Sequence, residues 1–285
     1  MRTPAGAAAF KVAVAVTALC CAGAALIVVL LLVMPGTLAA LRTLQENSWW
    51  FHYTEPVPGA LPAAVCRIGA AVLAACIAVL GAFRGLSLYR KGGSPLIPFL
   101  IVFLFSLSLE CLRAGIALLY SVDSSIAAGV VLTRVVYWGR FVGLLALLVS
   151  SLYCIDLKYR KFVVLIGVDF LVSFAMAAYI PIDRTVYLAQ LTWKLGDEQG
   201  VWFVNISIGI LTVLTAATSA ATRRDPRFLW FAAGFLLLLT ARELLFFAGS
   251  PLLLAAALAA LVAGIVVFLR VLSVIYRRTG SVAVA

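Results

Sequence analysis

Eight ionisable side chains stand deep inside stretches that are otherwise apolar: Arg67, Glu110, Arg113, Arg134, Arg140, Asp169, Arg242 and Glu243; a ninth, Arg270, lies near enough to the end of its run to snorkel to the boundary. In hydrocarbon each costs roughly 2.5–3.5 kcal/mol on insertion scales, so each needs a partner or a polar cavity. Glu110 and Arg113 are spaced i, i+3 in the segment SLSLECLRAGIALLY, Ser106–Tyr120, which places them and Ser106 on one face of a helix. Three chemistries suit such a set. The charges can form inter-helix ion pairs and bonds to backbone carbonyls that hold a bundle in register. They can form a pocket for an anionic or zwitterionic group, because arginine suits carboxylate and phosphate and five arginines here face three carboxylates. Or a carboxylate, Glu110 or Asp169, can carry a proton.

The elements that position these residues are helices. The chain has 285 residues, is 65% hydrophobic and only 12% charged, with a mean hydropathy of +1.15. A soluble domain is about 45–50% apolar and about 25% charged. Several apolar runs reach the roughly 20 residues that cross hydrocarbon, and no alternating barrel pattern is present. The expected fold is therefore an all-α integral membrane protein, a bundle of eight transmembrane helices in a single polytopic domain, 1–285. The expected spans are 12–34, 61–83, 95–120, 126–153, 162–180, 201–221, 228–248 and 252–275. Small residues recur every fourth position in the second (Ala70, Ala74, Ala78) and the eighth (Ala256, Ala260, Gly264), which favours close helix approach. The long segments 35–62 and 181–200 read as loops whose Trp and Tyr side chains anchor at the membrane–water interface.

The net charge of +11 would suggest nucleic acid in a soluble protein. Here it follows topology. Thirteen Lys and Arg fall in the N-terminus, in the loops after spans two, four and six, and in the tail, whereas the opposite loops hold only Arg42, Arg184 and Lys194. Both termini are expected in the cytoplasm, in a cell membrane of the bacterial inner-membrane type. On that orientation Arg67, Arg113 and Glu243 lie roughly 8–12 Å below the outer boundary. The order of loops repeats, and spans three and seven each carry a Glu/Arg pair, Glu110 with Arg113 and Arg242 with Glu243. This suggests two parallel four-helix halves, 1–155 and 156–285, although residue identity between them is weak.

Enzyme signatures are missing. His52 is the one histidine, and the six cysteines show no metal-ligand spacing, so no metal or cofactor is implied. No nucleophile elbow, phosphate loop, dinucleotide fingerprint or paired-aspartate motif occurs. The ARELLF segment around Arg242 and Glu243 lacks the second Glu, the trailing Arg and the histidines of intramembrane CAAX-type proteases. In general organisation the chain is similar to the multi-helix sensor modules at the N-termini of bacterial histidine kinases, at the level of architecture alone. The expected function is binding of a small anionic or lipid-like ligand in an outer-half polar pocket, for transport or sensing. The alternative is a non-catalytic membrane subunit or scaffold whose charges pair with partner helices. The lipid bilayer is the implied partner in both, and nucleic acid in neither.

Overall fold

The computed structural model describes residues 15, 18–20, 22–27, 29–30, 33, 63–92, 94–122, 126–155, 162–187 and 190–279. Most of the first expected span, the aromatic loop after it, the turn at Asp123, the basic loop at 156–161 and the tail lie outside them. Helices form where apolar runs lack internal breakers. They are α1 (Ala63–Gly92), α2 (Leu96–Leu109), α3 (Arg113–Ser121), α4 (Ile126–Cys154), α5 (Phe162–Tyr179), α6 (Glu198–Arg223), α7 (Arg227–Phe247) and α8 (Pro251–Thr279). With α2 and α3 taken as one span, seven segments among the described residues are long and apolar enough to cross a membrane. A shorter apolar helix, Ala18–Ile27, falls within the first expected span.

Three features depart from the sequence expectation. The third span is not one regular helix: a 3₁₀ turn at Glu110–Leu112 separates α2 from α3. At three residues per turn it stacks Glu110 over Arg113 more directly than an α-helix would. The helix expected to stop at Phe83 continues through Arg84 and Arg90 to Gly92, since no glycine pair or proline interrupts it earlier. The segment after α5 is not all loop. Two short strands, β1 (Ile182–Tyr187) and β2 (Trp193–Leu195), pair antiparallel with Ile182 opposite Leu195. Trp193 is not an interfacial anchor. It is buried beside Gly129 on α4, where any side chain would meet the indole, and the backbone N–H of Trp193 donates to Thr133 Oγ1 at 3.3 Å.

The spans form a bundle with α2 and α7 inside. α1 packs on α2 and α6 on α7; α2 packs on α4 and α7 on α8; α1 packs on α8 and α6 on α4. α5 lies against α4. Phe99, Phe103, Phe231, Phe235 and Phe268 are fully buried, with Phe235 edge-on to Phe268 at 5.4 Å between centroids. Ala70, Ala74 and Ala78 of α1 face this core as expected, but on α8 the inward stripe is Ala257, Leu261 and Gly264, with Ala256 outside. Glycines make the closest crossings: a Cβ at Gly264 would press on Leu238 at 2.9 Å, and one at Gly81 would press on Leu104 and Ile265 at 3.2 Å.

Candidate functional site: a buried charge cluster beside an apolar groove

Glu110 is the hub of the intramembrane charges. The 3₁₀ turn presents its carboxylate to three arginines from three elements: Arg113 Nη2 at 3.5 Å, Arg140 Nη1 of α4 at 3.6 Å, and Arg242 Nε of α7 at 3.6 Å. All four side chains are almost completely buried. Arg140 also donates from Nη2 to both oxygens of Glu243, at 2.7 and 2.8 Å. Its guanidinium lies 3.9 Å from the centroid of the Phe246 ring, on whose π-face a cation is attracted. Glu243 differs from the rest: its side chain is 36% exposed, whereas Arg140's is 2% exposed.

The arginines also finish a helix. The last carbonyls of an α-helix have no intrahelical partner, and its C-terminal end carries partial negative charge. In α7 those groups meet two guanidinium ions. Arg113 donates to Phe246 O at 3.2 Å and to Leu245 O at 3.4 Å. Arg67 of α1 donates to Ala248 O at 3.0 Å and to Phe247 O at 3.5 Å. Arg242 donates to Gly139 O on α4 at 3.2 Å. Gly139 and Gly143 make room for this crossing. A Cβ at Gly143 would collide with Ser106 Oγ and sit 3.1 Å from Arg242 Nη1, and one at Gly139 would sit 2.9 Å from Leu109.

Six of the eight candidate residues thus meet around the end of α7: Arg67, Glu110, Arg113, Arg140, Arg242 and Glu243. Asp169 stands close by on α5, buried, with Oδ1 accepting from Ser173 Oγ at 3.2 Å and Arg242 within electrostatic reach. It forms no ion pair with Arg140 or Arg134. Arg134 is exposed on another side of α4. Six residues separate it from Arg140, which turns it about 120° around the helix from the face that carries Arg140. With Arg134 outside, four arginines stand with three carboxylates: Arg67, Arg113, Arg140 and Arg242 with Glu110, Glu243 and Asp169. The surplus of positive charge falls from two to one, and Arg67 spends its charge on the carbonyls that end α7.

A groove of about 480 Å³ opens between α4, α6 and α7. Trp202 and Phe247 stack across one end with centroids 5.3 Å apart. Asn205, Thr240 and Glu243 follow just inside, and the remainder is apolar, ending at Leu214 and Leu236. The groove spans residues 202–214 of α6, about 18 Å of helix. Sequence reasoning singled out Glu243 but missed Trp202, Thr240 and the groove itself. It also missed Gly139 and Gly143, whose four-residue spacing is a recognisable signal of close helix approach.

Fold and site together are those of an all-α membrane bundle, compatible with a multi-pass membrane protein. Comparison with known protein families, with curated proteins and with solved structures finds no match.

Proposed function

We propose that this chain is a multi-pass membrane protein that binds a lipid-like ligand in the groove between α4, α6 and α7, in the service of sensing or transport. One observation carries the reading: the groove leads to Glu243, the exposed end of a charge network whose other members are buried. Ligand pockets are typically about 300–1,000 Å³, mostly apolar, with a few placed polar groups, and this groove fits that description. A small anion finds less here. The arginines that would receive it are buried and already hold carboxylates and carbonyls. A scaffold reading, with the charges reserved for partner helices, is likewise less supported, because they pair within the chain. Through Arg140, a ligand at Glu243 acts on Glu110 and hence on the junction of α2, α4 and α7, which is a route for a signal.

The test fills the groove. Leu239 lines it, and Leu239→Trp occupies its middle without touching the charges. Mass spectrometry of protein purified in mild detergent is expected to find a chain-bearing molecule retained by the wild type and reduced about tenfold or more in the variant. Equal retention by both, at equal thermal stability, removes the groove as the site.

The topology belongs to the same proposal. Both termini face the cytoplasm, in a membrane of the bacterial inner-membrane type, and the end of the groove bearing Trp202 and Glu243 lies towards the outer side. A reporter fused after Arg227 is expected to read cytoplasmic, and an external signal there breaks this orientation. We also propose two parallel halves, 1–155 and 156–285. The packing supports this in part: exchanging α1 with α6, α2 with α7, and α4 with α8 interchanges the six main pairings of these helices.

A further inference from the structure

The groove's polar end also bears on the ligand's head group, an inference that rests on the groove being the binding site. The charged side chain lining the groove is Glu243. The nearest arginine, Arg140, stands behind it with its side chain only 2% exposed, so a ligand meets the carboxylate and not the guanidinium. Arg140 holds both carboxylate oxygens from one nitrogen, Nη2. A carboxylate has about four lone-pair sites, so acceptor capacity remains on the groove side. Asn205 and Thr240 stand beside it, with side chains that can accept as well as donate. Below them the walls are apolar for the rest of the groove. A carboxylate or phosphate head would be brought against Glu243 in a low-dielectric site, where like charges repel strongly.

We propose that the occupant is a long apolar chain carrying a hydrogen-bond-donor head, an ammonium or a hydroxyl, with the head on Glu243 beneath the Trp202–Phe247 stack and the chain running towards Leu214 and Leu236. An ammonium head gains a charge-assisted bond and a hydroxyl head a weaker one. The chain follows α7 from Glu243 towards Leu236, against the N-to-C direction of that helix.

Three photoreactive probes with one tail and different heads test this: hexadecylamine, hexadecanol and palmitic acid, each with a mid-chain diazirine. They are applied to the full chain in lipid nanodiscs, and labelling of peptides from α6 and α7 is followed by mass spectrometry against excess unlabelled competitor. The amine and the alcohol are expected to label saturably, with half-saturation at about tenfold lower concentration than the acid. Glu243→Gln is expected to reduce the amine's advantage over the alcohol while the protein stays folded, since this side chain is partly exposed. A carboxylate probe that half-saturates at or below the concentration of either donor probe overturns the head-group assignment and leaves the groove standing. No saturable labelling by any of the three, or labelling unchanged by Leu239→Trp, removes the groove itself. The primary comparison uses the wild-type chain, so it does not depend on a variant folding.

Discussion

Glu110→Gln is expected to cost about 3–5 kcal/mol, enough to lower the melting temperature of the detergent-solubilised protein by about 10 °C or to abolish its recovery. Glu110 is the carboxylate on which Arg113, Arg140 and Arg242 converge within 3.6 Å. Neutralising it leaves three buried guanidinium groups with Glu243 alone in direct contact, and that contact is with Arg140. Removing one partner of a buried ionic set is far more damaging than replacing the whole set, because the remaining charge stays desolvated. Glu243→Gln provides the contrast. Its side chain is 36% exposed, and the expected cost is about 1 kcal/mol. Differential scanning fluorimetry on both variants reads the difference directly. Equal melting temperatures would mean that Glu110 is not the hub.

The second large effect is steric. Gly143→Ala places a methyl group against Ser106 Oγ and close to Arg242 Nη1, at the crossing of α2, α4 and α7. Overpacking of this kind costs about 1–3 kcal/mol. Here the obstacle is identifiable, so the cost has a remedy. Ser106→Ala removes the colliding oxygen, whose own hydrogen bond is local, to Phe103 O at 2.7 Å. The double variant is expected to recover part of the loss, giving a positive coupling in a double-mutant cycle read by thermal melting. Simple additivity of the two changes would show that Gly143 is not held to glycine by this crossing.

Membrane class and helix positions were legible in the sequence because hydropathy over a span reports solvent preference directly. The identity of the charged layer was legible too, since ionised groups in apolar runs are conspicuous. Their partners were not. Arg67 binds carbonyls 180 and 181 residues away, and nothing local in the chain names that target. The turn Gly249–Pro251 does mark an end to α7 whose carbonyls need donors. Arg134 was placed in the cluster because it too stands in an apolar run; it lies about 120° around the helix from Arg140, on a side where no described element covers it. The groove was the least legible feature. An apolar side chain on α6 looks the same in sequence whether it faces lipid or lines a cleft. Trp193 was misplaced for a related reason: an aromatic residue in a loop suits an interface equally well until Gly129, far away, offers it a slot.

The arginine caps on α7 also have a meaning for biosynthesis. Arg67 and Arg113 are synthesised long before the carbonyls they serve, because Arg67 precedes Ala248 by 181 residues and Arg113 precedes Phe246 by 133. At synthesis rates of about 5–20 residues per second, Arg67 waits for about 10–40 s. During that interval Arg113 already has Glu110, three residues before it, as a local partner, so the wait bears chiefly on Arg67. Arrival of α7 ends the wait for both arginines at once. The end of one late helix thereby completes two early ones: a chain that stops before Phe246 offers Arg113 only its local partner Glu110 and lacks the Phe247 and Ala248 carbonyls that Arg67 meets in the finished fold.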